Sequence, residues 1–189
     1  VQTCALPICS AADLDETVRS ALPLDRFPTL HALRASFVLM RKFTDAMAGR
    51  RGYRLLFDSD MIFWREPAEL ISRARKEEPL YLADIGPDGY TADRTQLQQA
   101  LGVNAAEGVN SGLVGINADR IDWELMERAC AFLRIHPGDQ RLLEQTLWAI
   151  ALGAQSARPL PSADYRVVID PPGFRAALAS HPPALLHYA

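Results

Sequence analysis

The chain reads as one α/β domain, a prediction that rests on three observations. Short runs of strand character, such as YRLLF and LYLA, alternate with longer segments whose apolar residues recur at helical spacing, the pattern of a layered α/β fold. At 189 residues and 49% apolar composition, the chain can enclose a sizeable core. It carries neither an internal repeat nor a low-complexity tract.

Taken in order, residues 9–28 are mixed and polar, and Pro23 and Pro28 in "LPLDRFP" predict an extended connector. From Thr29 onward, Leu30, Leu33, Phe37, Met40 and Met47 predict a helix, with Thr29 as N-cap and Gly49 as its stop. Tyr53–Phe57 reads as a short strand running into Asp-Ser-Asp, and Met61–Phe63 as a second. Pro67 suits the first turn of a helix reaching about Lys76. Residues 79–86 read as a strand and 93–102 as a short helix closed by Gly102. Residues 108–117 read as a turn followed by a strand. An amphipathic helix is expected over 119–135, broken by Pro137 and Gly138. Asp139 reads as the N-cap of a helix containing "RLLEQTLWAIAL". Late strands are expected at 165–170 and 184–189, separated by a Pro-rich loop.

Composition narrows the function classes. A net charge of −3 leaves no basic footprint, so no nucleic-acid partner is expected. With no run of about 18 apolar residues, no transmembrane segment is expected. Cys4, Cys9 and Cys130 form neither a metal-type cluster nor an even disulfide framework. That is the pattern of a soluble protein in a reducing compartment, here the cytoplasm, with peripheral association at the inner face of the membrane left open. The opening "VQTCALPI" lacks the charged and long apolar regions of a secretory signal. It is, however, the translation of GTTCAGACGTGTGCTCTTCCGATC, which resembles a common sequencing-library adapter. Residues 1–8 are therefore set apart as a non-native, adapter-derived tail, and 9–189 are taken as a single partial domain.

The chemistry begins with "FDSD". Ionised carboxylates are seldom buried without partners, so Asp58 and Asp60 after an apolar strand call for compensation. Two apart on extended backbone, they point to one side and offer oxygen ligands to a hard cation, Mn2+ or Mg2+. A solvated turn or a helix cap is the bland alternative. In "VNSGL", Asn110 and Ser111 can hydrogen-bond a polyol, and Gly112 permits close backbone approach to a ligand, although the same residues are ordinary turn formers. In "GDQRLLEQTLW", Glu144 or Gln145 facing a cleft could orient an acceptor or take part in proton transfer. Asp139 and Gln140 form a competing register, less favoured because Asp139 has a sufficient role as a cap. His187 in "LLHY" gains interest because imidazole partners Mn2+ well beside two carboxylates. Asp84, closing the strand at 79–86, joins the substrate-binding candidates.

In their order along the chain, "FDSD", "VNSGL", the "EQT" helix and the terminal "HY" resemble a GT-A-type glycosyltransferase, of the bacterial kind related to family 8. The resemblance extends over roughly residues 27–188. It implies a GT-A-like mixed, Rossmann-like sheet flanked by helices, truncated here at both ends. It also implies a nucleotide-diphosphate sugar donor and a saccharide, lipid or protein acceptor. Asp58, Asp60 and His187 match the metal ligands, and Asn110, Ser111 and Gly112 match the donor-sugar segment. Glu144 and Gln145 match the catalytic helix. Family members often carry a basic residue near the donor on the helix before D-x-D, for which Arg34, Arg41 and Lys42 are candidates. The strand that holds the nucleotide base and the phosphate-contacting tail have no counterpart here. The isolated chain is therefore expected to be inactive and prone to aggregate.

Two other readings compete. In a haloacid-dehalogenase-type phosphatase Asp58 would be the nucleophile and Asp60 the general acid, but Ile62 stands where that motif has threonine. In a non-catalytic nucleotide- or sugar-binding remnant the carboxylates would be structural. The leading reading places Asp58 and Asp60 at the carboxyl end of a central strand. His187 should be near them, Asn110 to Gly112 in the same cleft, and Glu144 or Gln145 on the adjacent helix.

Overall fold

The structure is a computed structural model that describes residues 10–86, 89–169, 172 and 182–188. Residues 1–8, and most of the expected Pro-rich loop, lie outside the described residues. The chain is mixed α/β, with helices packed against two small sheets.

Helix α1 (Ala11–Ala21) occupies part of what the sequence suggested was an extended approach. Its signal is a capping box, in which the Ser10 hydroxyl accepts from Asp13 N–H and the Asp13 carboxylate accepts from Ser10 N–H. Val18 and Leu22 anchor it in the core. The single helix expected from Thr29 is two, α2 (Pro28–Ser36) and α3 (Leu39–Met47). Between them Phe37 adopts extended backbone and packs on the core, so helical spacing survives across a break in the helix. Thr29 is not the cap. The N–H groups of Thr29 and Leu30 instead donate to the Glu127 carboxylate at 2.7 and 2.9 Å, a cap delivered from far along the chain.

Strands β1 (Tyr53–Phe57), β3 (Leu80–Ala83), β4 (Val109–Asn117) and β5 (Arg158–Pro159) form the first sheet, in the order β1-β4-β3-β5. Only β3–β5 is parallel. Strand β4 is buried from Val109 to Ile116, because the sheet has a core on both faces. Val114 and Ile116 enter the larger core and Leu113 the smaller. Two corrections follow. Gly108 does bend the chain, but the Asn-Ser-Gly after it is not a turn, since it lies within β4. Strand β1, which delivers the aspartates, is not central but an edge strand among the described residues.

Strands β2 (Met61–Phe63), β6 (Tyr165–Val168) and β7 (Leu185–Tyr188) form the second sheet, in the order β2-β7-β6. Helix α4 (Ala68–Arg75) follows β2, and α5 (Arg94–Leu101) lies between β3 and β4 with Asp93 as N-cap and Gly102 in the left-handed region at its end. Helix α6 (Trp123–Ile135) is capped by Asp122 rather than starting at 119. Helix α7 (Leu143–Ala154) packs on β4 and α3, with Trp148 fully buried and edge-on to Phe43. This α3–α7–β4 contact positions the site.

Candidate metal centre

Strand β1 ends at Phe57, yet Asp58 N–H still donates to the Gly112 carbonyl of β4 at 2.8 Å. The next residues carry the chain from the first sheet to the second, so the two aspartates flank the seam between them. On the far side β2 pairs with β7 in a register that sets Met61 opposite His187. Pairing of two short strands is thus what brings His187 to the aspartates. Its Nε2 lies 3.1 Å from Asp60 Oδ1 and 4.0 Å from Asp58 Oδ2. One ligand atom from each of Asp58, Asp60 and His187 can be chosen so that all lie within 4.8 Å of one another.

Exposure is graded across the three. Side-chain exposure is 52% for Asp60, 32% for Asp58 and 5% for His187, so the cluster opens to solvent on the carboxylate side and is sealed behind the imidazole. Two carboxylate oxygens and one imidazole nitrogen are compatible with a divalent cation. The donor set fits the group that the sequence suggested.

Behind the aspartates lies a polar wall. Lys42 on α3 reaches both oxygens of Asp58, at 2.7 and 2.9 Å, and lies 4.0 Å from Glu144 Oε1. Glu144, buried on α7, accepts from Ser111 Oγ at 3.0 Å and from Trp148 Nε1. Burial pushes its carboxyl above the usual range, opposed by the Lys42 charge and by these hydrogen bonds. Gln145 Oε1 accepts from Ser111 N–H, while its Nε2 donates to the Gly89 carbonyl and to Asp84. Asp84 therefore joins this network from the end of β3.

Ten sequence candidates are thus brought together: Lys42, Asp58, Asp60, Asp84, the three residues 110–112, Glu144, Gln145 and His187. Arg34 is not. Its guanidinium is taken up by Asp15 of α1 and Asp45 of α3, each at 2.6 Å. Arg41 likewise acts on Asp15. The competing register also lies elsewhere. Gln140 donates to the carbonyls of Leu133 and His136 at the end of α6, and Asp139 caps the short 3-10 turn before α7, its carboxyl lowered by hydrogen bonds to Arg141. Trp148 was missed as a partner of Glu144, although the i, i+4 spacing on a helix was there to be read. Gly89 was missed too, with no local signal to betray it.

No family model matches the chain, and neither a curated protein nor a solved structure matches it. No described helix is long and apolar enough to cross a membrane.

Proposed function

We propose that the chain carries the metal-binding core of a GT-A-like glycosyltransferase, which moves a sugar from a nucleotide-diphosphate donor to an acceptor. The observation that carries this reading is the convergence of Asp58, Asp60 and His187 where the two sheets meet. Asp58, Asp60 and His187 would hold the cation. When bound, such a cation supplies charge stabilisation to a diphosphate and to the departing nucleotide.

The chain's own groups support the same reading. Lys42 sets a fixed positive charge beside Asp58, which would favour an anionic donor. Gln145 and Asp84 present a polar surface suited to a polyol, with Gln145 half-buried and held by three hydrogen bonds. Glu144 is sealed behind Ser111 and Trp148, so its role is to hold Lys42 and the wall in place, leaving Gln145 as the better candidate for contact with a substrate. The reading is of a cytoplasmic enzyme.

The test titrates the full chain with Mn2+, then with nucleoside diphosphates and a panel of nucleotide-diphosphate sugars, following binding and metal-dependent nucleotide release. Mn2+-dependent binding of the diphosphate, lost in Asp60→Asn, is the expected result. Absence of Mn2+ binding, or equal binding in the variant, would overturn the metal assignment. Hydrolysis of simple phosphate esters would favour the phosphatase instead.

A further inference from the structure

The Asn-Ser-Gly segment reads in sequence as a turn or a sugar contact, yet two of its residues are turned toward His187. Gly112 N–H donates to Asn110 Oδ1 at 3.0 Å. A backbone N–H can only donate, so this bond determines which end of the Asn110 amide is the oxygen. The same oxygen lies 2.9 Å from His187 Nδ1. An amide oxygen can only accept, so Nδ1 must carry a hydrogen. Nε2 faces Asp60 Oδ1 at 3.1 Å, an acceptor as well, so that nitrogen presents a lone pair only where a cation takes the place of a hydrogen there or the Asp60 carboxylate is removed.

Gly112 adds a steric restraint. A Cβ at this position would stand 2.4 Å from His187 Cε1 and 2.7 Å from Nδ1, so the ring rests against bare backbone. Among the described residues, the left-handed glycines are Gly49, Gly52, Gly102 and Gly108. Gly112 is not one of them, so closeness of the ring, rather than backbone conformation, requires a glycine here. The buried His187 is thus restrained by an acceptor at one nitrogen and by a surface beneath the ring.

We infer that Asn110 and Gly112 form a cradle for His187, with Asn110 a positioning residue that holds the imidazole as the Nδ1–H tautomer and aims Nε2 at Asp58 and Asp60. The preference for the Nδ1–H form comes from the Asn110 contact and is opposed by Asp60 at Nε2. The use of that form in holding a cation rests on the metal reading above.

The experiment uses the full chain with Asp60→Ala, which removes the competing acceptor, metal-free and labelled with 15N-histidine, at a pH well above the ordinary imidazole range, and reads ring protonation by long-range 1H–15N correlation. The chain has 4 histidines, and loss of a signal in His187→Gln identifies the one that matters. The expected result is a hydrogen on Nδ1 and none on Nε2. A neutral His187 ring protonated on Nε2 overturns the proposal, whatever any metal does. Added to Asp60→Ala, Asn110→Leu should end the preference for Nδ1–H, and in the otherwise wild-type chain it should weaken Mn2+ binding by about 10- to 100-fold, the usual effect of removing an orienting partner. Asn110→Asp keeps an oxygen at the same place and should restore the Nδ1–H form. Full retention of that form in Asn110→Leu would show that another group sets it, and the proposal fails. Should Asn110→Leu not fold, the tautomer in Asp60→Ala still decides. The expected tautomer in Asp60→Ala, with no Mn2+ binding by the wild-type chain, would uphold the cradle and overturn the metal reading, so the two fail separately.

Discussion

Asp15 and Asp45 close on the guanidinium of Arg34, whereas Asp58 and Asp60 close on the bare edge of an imidazole. Both clusters draw on helix α3, and both gather carboxylates beside the core. In the first, the chain supplies the cation itself, and side-chain exposure falls to 9% for Arg34 and 12% for Asp45. In the second, one ammonium, Lys42, serves Asp58 and approaches Glu144, while Asp60 faces only His187 and solvent. Carboxylates alone therefore do not distinguish a staple from a site. What distinguishes them is whether the compensating positive charge is part of the chain.

The sharpest way to break this comparison is to neutralise the open cluster. Asp60→Asn should weaken Mn2+ binding by more than about 100-fold, because even orienting partners are worth about 10- to 100-fold. Half-exposed Asp60 carries little of the fold, so the melting temperature should hardly move. Isothermal titration and a thermal melt check both halves. Arg34→Met should do the reverse, costing about 2 kcal/mol of stability by stranding partly buried carboxylates while leaving Mn2+ binding unchanged.

Lys42→Met should blend the two behaviours. Without the ammonium, the metal-free chain should lose about 1 kcal/mol, since Asp58 and Glu144 lose their partner. Mn2+ should then bind several-fold tighter, and its addition should raise the melting temperature more than in the parent. Equal gains from Mn2+ in both chains would show that Lys42 and the cation do not share Asp58.

Glu144 offers a pH test. Burial raises its carboxyl above the ordinary value, so the folded chain holds that proton more tightly than the unfolded one. Its contribution is fully present below the ordinary glutamate range and is lost as pH rises through the raised value. Subtracting Glu144→Gln from the parent, in denaturant melts across that window, should give a stability difference that declines with pH. A flat difference would mean that Glu144 titrates as it does in the unfolded chain. The smallest effect is expected from Gln140→Ala, about 0.5 kcal/mol for lost hydrogen bonds at the end of α6, with Mn2+ binding untouched.

Much of the local structure was legible in advance. Strand β1, the Asp93-to-Gly102 helix and the preference for Glu144–Gln145 over Asp139–Gln140 all follow from spacing and cap chemistry within a few residues. Those signals are local because helix and strand periods are local. Helix α1 was hidden although its capping box is written in Ser10 and Asp13, because the prolines at its far end drew the reading toward an extended chain.

Sequence by itself determined that two carboxylates would leave an apolar strand together and that a buried helix would carry Glu144 and Gln145 side by side. Tertiary structure alone decided which cation each carboxylate meets. Arg34 lies between Asp15 and Asp45 because α1 and α3 flank it, and His187 reaches Asp60 because β2 and β7 pair in one register. Asn110 meets His187 across 77 positions of chain and sits inside a strand that its turn-forming composition disguises. Such contacts are set by the burial of apolar strands on both faces of a sheet, a sum over many distant residues, and no short stretch of sequence carries that sum.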